Sequence, residues 1–125
     1  MITLLIVDDQ PSVLDALREY FAVEPDIRIV GEAADGQIAV ALARELQPDV
    51  VITDIRMPNL GGIEAIPGLL EGAPGSKVIV LSIYDDSAAR ALALAAGANA
   101  FVAKQDQAEF LLHVVRELTG WTNLP

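Results

Sequence analysis

"VVITDIRMP", residues 50–58, is the stretch on which the reading of this chain turns. Four residues suited to a buried strand, Val50 to Thr53, run straight into the carboxylate of Asp54. An unbroken apolar run suits a strand covered on both faces, which is how parallel strands are placed. Open sheets of that kind bind their ligands beyond the carboxyl ends of the strands. A lone acid at such an end therefore raises the question of what else lies beside it.

Four further strands are readable around it. "TLLIV" at 3–7 ends at Asp8-Asp9, "IRIVGEA" spans 27–33, "KVIVLS" spans 77–82 and "AFVA" spans 100–103. A helix lies between each pair. Val13, Leu14, Leu17 and Phe21 have helical spacing, with Pro11 at the start and Pro25 past the end. "GQIAVALARELQP" at 36–48 places Ile38, Leu42 and Leu46 on one face. The segment 61–72 predicts a weaker helix, interrupted at Pro67 and Gly68. Residues 86–97 and 107–120 supply the last two helices. Five strand–helix repeats predict an α/β fold, a doubly wound (βα)5 three-layer sandwich around a five-stranded parallel sheet. The strand order 2-1-3-4-5 is taken by analogy with flavodoxin-like folds. One domain over 1–120 is expected, with 121–125 a tail or the start of a linker, because 125 residues fit a single core.

Composition narrows the function. There are 18 acidic and 8 basic residues, a net charge of −10, so this segment is a poor binder of nucleic acid by itself. No apolar run is long enough for a membrane helix, and Asp8-Asp9 follow too early for a signal peptide. No cysteine is present, which removes disulfides and thiolate metal sites and fits a cytoplasmic location.

The polar residues at the strand ends form a pattern. Strand one ends at Asp8 and Asp9, strand three at Asp54, strand four at Ser82 and strand five at Lys104. In the 2-1-3-4-5 order these five side chains meet at one edge. Clustered carboxylates repel and need compensating charge. Oxygen donors alone, without Cys or His, suit Mg²⁺, or Mn²⁺ in its place. A lysine and a hydroxyl beside them suit phosphoryl oxygens. An aspartate can itself accept a phosphoryl group. Taken singly, Asp8 or Asp9 is a helix cap, Ser82 a loop residue and Lys104 a surface charge. The conjunction at four strand ends out of five carries the reading. Asp85 and Asp86 are read as the start of the fourth helix, Glu32 and Asp35 as solvated charges around a turn at Gly36, and Met57-Pro58 as loop-shaping. His113, in the last helix, is not a candidate ligand.

"LLIVDDQPSVLDALREYF", "DVVITDIRMPNLGGIEAI", "KVIVLSIYDD" and "AGANAFVAKQD" resemble the receiver domain of bacterial two-component response regulators, in the style of the NarL/FixJ branch. The likeness covers residues 3–119. It implies that Asp54 is the phosphoacceptor, charged by a sensor histidine kinase. It implies that Asp8, Asp9, Asp54 and the backbone carbonyl of Arg56 hold Mg²⁺. Ser82 and Lys104 correspond to the family's phosphate-binding pair, and Phe101 to its switch aromatic. Arg56 and Tyr84, flanking the phosphoryl position, are expected to slow its hydrolysis. The resemblance further implies a signalling phosphoacceptor rather than an enzyme in the usual sense, a homodimer on phosphorylation, and a C-terminal helix-turn-helix DNA-binding domain.

Three departures from the family pattern stand out. Gln105 replaces the frequent proline after the lysine, which puts the usual cis turn in doubt. Gly61-Gly62 replaces a frequent Asp-Gly, from which a more mobile loop is expected. Phe101 has no hydroxyl, so its switching rests on packing. Two other readings compete. A phosphohydrolase with an aspartate nucleophile would want an acid two residues further on, where the chain has Arg56 after Asp54 and Pro11 after Asp9. A degenerate receiver that only binds partners would not need all five site residues.

Overall fold

The computed structural model describes residues 1–83, 87–104 and 108–120. Strands β1 (Ile2–Val7), β2 (Ile27–Ala33), β3 (Val50–Thr53), β4 (Lys77–Ser82) and β5 (Ala100–Ala103) alternate with helices α1 (Pro11–Ala22), α2 (Gly36–Leu46), α3 (Gly62–Gly72), α4 (Ser87–Ala96) and α5 (Ala108–Leu118). The strands form one parallel sheet in the order β2-β1-β3-β4-β5. The (βα)5 architecture read from the sequence is the one observed.

Side-chain alternation along the strands builds two cores. Leu4, Ile6, Val50 and Ile52 face one way, against Phe21 of α1 and Leu111, Leu112 and Val115 of α5. Leu5, Val7 and Val51 face the other, against Ala39 and Ala43 of α2, Ile66 and Leu69 of α3 and Ala93 of α4. β3 lies between β1 and β4, which is why all four of its residues are buried. Its register pairs Val7 with Thr53 and Thr53 with Val80, so β1 and β3 end level and present Asp8 and Asp54 at one edge, while β4 runs two residues further to Ser82.

Two expectations change here. Helix α3 is continuous, with Pro67 inside it. Pro67 is exposed, where water can serve the carbonyl that its ring deprives of a donor, while Ala65, Ile66 and Leu69 bury the opposite face. Asp35 is not a solvated charge. It is only 6% exposed and caps α2, accepting from the Ile38 N–H at 2.9 Å. Among the described residues, no helix is long and apolar enough to cross a membrane.

Candidate functional site

The strand ends converge as the register requires. The Asp8 N–H donates to the Ala33 carbonyl and the Asp54 N–H to the Val7 carbonyl, both at 3.0 Å, so each aspartate extends the sheet pairing by one residue. The Lys104 N–H donates to the Ser82 carbonyl at 2.7 Å in the same way. Backbone pairing thus fixes where these side chains begin.

Lys104 Nζ then reaches across the edge. It lies 3.0 Å from Asp8 Oδ2 and 3.6 Å from Asp54 Oδ2. Asp8 is almost fully buried, and its other oxygen accepts from the Gln10 N–H at 2.9 Å. Asp54 Oδ1 accepts from the Ile55 N–H at 2.8 Å. Asp9 is exposed beside them, and one oxygen from each of Asp8, Asp9 and Asp54 lies within 4.8 Å of the others. Burial raises the Asp54 pKa above the ordinary carboxylate value. The Ile55 hydrogen bond and the charge of Lys104 work against that rise, and the charge of Asp8 adds to it. A partly desolvated carboxylate of raised basicity is a better nucleophile than a solvated one.

Asp9, Gln10, Asp54, Arg56, Ile83 and Lys104 line a cavity of about 140 Å³ at this edge. That is below the size of pockets that enclose a drug-sized ligand. The donor chemistry fits a hard cation: three carboxylates converge, with no sulfur or imidazole among them. Their charge exceeds what Lys104 alone offsets, which leaves room for a divalent ion.

The remaining expected residues have these positions. Ser82 ends β4 and is fully buried. Phe101 of β5 is also buried, with the Arg90 guanidinium of α4 lying 4.8 Å from its ring centroid. Arg56 is exposed at the cavity rim. Tyr84, Asp85, Asp86, Gln105 and the 121–125 tail lie outside the described residues. His113 is exposed on α5 beside Glu117, far in role from any ligand set.

Gly61 and Gly62 form a close seam instead of a loose loop. A Cβ on Gly62 would drive into the Asp54 carbonyl oxygen, and the Gly62 N–H donates to the Ile55 carbonyl at 2.8 Å. Sequence reading also missed the pair Asp35–Asn59, whose side chains are 2.8 Å apart. The Asp-Gly at 35–36, directly before an apolar helical run, was the available signal for the cap.

Residues 4–116 match the family described as the response regulator receiver domain. The chain is a receiver domain. It is 35% identical to the transcriptional regulatory protein DegU of Brevibacillus brevis over 115 residues, 92% of this chain and 49% of that protein. A LuxR-family two-component response regulator from an Aurantimonas species superposes with a TM-score of 0.86 at 32% identity, covering 95% of this chain and 86% of that one. The response regulator domain of Thermotoga maritima CheB superposes with a TM-score of 0.87 at 34% identity, covering 98% of each. The receiver spans about half the length of the transcriptional regulators it resembles. As a receiver it is a signalling module of the two-component, phosphorelay type, conventionally a phosphoacceptor rather than a classical enzyme.

Proposed function

We propose that this receiver accepts a phosphoryl group on Asp54 from the phosphohistidine of a sensor histidine kinase. The observation that carries the reading is Lys104 Nζ poised between Asp8 and Asp54 at the strand-end edge. In the reaction an Asp54 carboxylate oxygen attacks phosphorus. The new O–P bond forms as the histidine N–P bond breaks, and the departing imidazole takes up a proton. Lys104 leaves its contact with Asp54 to meet a phosphoryl oxygen, keeping its bond to Asp8 as an anchor. Ser82 offers its hydroxyl to another phosphoryl oxygen. Asp8, Asp9, Asp54 and the Arg56 carbonyl would hold Mg²⁺, or Mn²⁺, which supplies positive charge to the transferring group.

The phosphoryl group adds charge and acceptor oxygens where Asp54 stood. Ser82 and Lys104 are drawn toward it, and the packing of Phe101 under Arg90 is the element they bias. Arg56 and Tyr84 then screen the phosphoryl group from water, so Tyr84→Ala shortens the phosphorylated lifetime; an unchanged half-life would refute that role. A homodimer and a C-terminal DNA-binding output domain, acting in the cytoplasm, complete the proposal. Support for the output comes from the transcriptional relatives and from a charge of −10 that ill suits this segment to touch DNA. The residues beyond Pro125 test it: a helix-turn-helix sequence is expected, whereas a methylesterase, as in the Thermotoga maritima protein-glutamate methylesterase/protein-glutamine glutaminase that this chain also resembles, would overturn it.

Incubation with acetyl phosphate and Mg²⁺, read by intact mass, tests the central step. A persistent phospho-adduct that is lost in Asp54→Asn is expected. Rapid continuous release of phosphate would indicate a phosphohydrolase, and no adduct a binding-only receiver.

A further inference from the structure

Residues 55–58 cross the rim of the site between two ties. At the inner end, the Gly62 N–H holds the Ile55 carbonyl at 2.8 Å and Gly62 packs on the Asp54 backbone. At the outer end, Asn59 Nδ2 donates to Asp35 Oδ2 at 2.8 Å, and the Gly36 N–H donates to the Leu60 carbonyl at 2.8 Å. Asp35 is buried and uses both oxygens, one for Asn59 and one for the Ile38 N–H at the start of α2. Asn59 has φ of +68°, a left-handed conformation that asparagine tolerates better than most residues. Its side chain is thereby fixed at both the backbone and the amide end. Gly61, which caps α3, contributes no side-chain cap bond, so the Asp35–Asn59 bond is a side-chain tie from this loop to a neighbouring helix.

We infer that Asp35 and Asn59 act as a positioning pair that sets the Arg56 carbonyl for cation binding, from outside the cation site itself. The inference rests on the metal-site reading above. A carboxylate ligand can adjust by rotating its side chain, but a backbone carbonyl moves only with its segment. Arg56 and Pro58 are exposed, while Met57 packs partly against the core. The hydrogen bonds at the two ends of the segment hold its backbone course. Partners of this indirect kind typically change metal affinity by about 10–100-fold.

The test cuts the bond from each side without disturbing its surroundings. Asn59→Gly keeps the positive φ, and Asp35→Ser keeps a helix-capping oxygen but is too short to reach Asn59. Mg²⁺ affinity is measured by amide chemical-shift titration, which also reports that each variant is folded. About tenfold weaker binding is expected in each single variant, with no further loss in the double variant. Phospho-adduct formation should return to the unsubstituted level at saturating Mg²⁺. Affinity within twofold of the unsubstituted protein in either folded variant overturns the inference while leaving the cation site standing. If the unsubstituted protein shows no Mg²⁺ response, and Asp9→Asn changes nothing, the cation-site reading and this inference fall together.

Discussion

At Gly62 a missing side chain decides whether the Asp54 backbone can sit where it does. The position is helical and its φ is unremarkable, so the requirement is one of space, not of backbone freedom. A methyl there would meet the Asp54 carbonyl oxygen, which belongs to the sheet end and cannot yield easily. Gly62→Ala is expected to cost roughly 1–3 kcal/mol, the range for forcing extra volume into a packed site. Urea unfolding gives the cost, and acetyl phosphate labelling should show slowed phosphorylation at the same position. Full stability in the variant would mean that the seam opens without penalty. This constraint was not legible beforehand. A Gly-Gly pair reads as looseness, and only the approach of a second backbone turns it into tightness. Asp35 is the opposite case: its neighbours Gly36 and Ile38 announced a helix start, and the residue was read by its charge instead of its position.

At the scale of elements, α5 is clasped to the far end of the sheet by one arginine. Arg116 donates to both oxygens of Asp26 at 2.9 and 3.0 Å and to Glu24 at 3.0 Å, tying α5 to the α1–β2 connection. Hydrogen bonds from Arg116 hold the Asp26 carboxyl below its ordinary pKa. A depressed carboxylate contributes stability that is present above its unfolded pKa and fades as pH falls through the folded value. Arg116→Ala is therefore expected to lose roughly 1–2 kcal/mol at pH 7, the scale of charge-assisted bonds at a partly exposed site. That difference should shrink in acid, below the usual carboxylate range, as Asp26 protonates. Urea unfolding of both proteins at pH 7 and pH 3 checks it, and an equal loss at both would assign the effect to packing. The elements themselves were largely legible. β2 to β5 have the spans expected, and in β3 and β5 the apolar run is ended by a charged residue, Asp54 and Lys104. β1 begins one residue earlier, at Ile2, whose N–H bonds the Asp26 carbonyl. α2 stops at Leu46, short of Pro48, since Gln47 turns left-handed at φ +48° and its side chain bonds the Gly72 carbonyl of α3. Clasps such as Arg116–Asp26, 90 residues apart, leave no local pattern to read.

Over the whole molecule, charge links the site to stability. The chain carries −10, and three of its carboxylates meet at one edge with Lys104 as their direct counter-charge. That convergence was legible in outline, because parallel topology sends every strand end to the same side. The distances were not, because Lys104 and Asp8 are 96 residues apart. A divalent ion that binds the folded chain and not the unfolded one stabilises it by mass action. At ten times its dissociation constant the gain is about 1.4 kcal/mol. Mg²⁺ should therefore raise the melting temperature progressively with concentration, while the same ionic strength of NaCl should not. Asp9 supplies the cleanest control. It is exposed, so Asp9→Asn removes a repelling charge without opening the core, and the metal-free variant should melt no lower than the parent. With Mg²⁺ present the order should reverse, because the variant has lost a ligand and the parent has gained an ion. Thermal melts of both proteins in EDTA and in Mg²⁺ check the crossing. Parallel shifts in the two proteins would place the bound ion away from Asp9 and remove the basis for a cation at this edge.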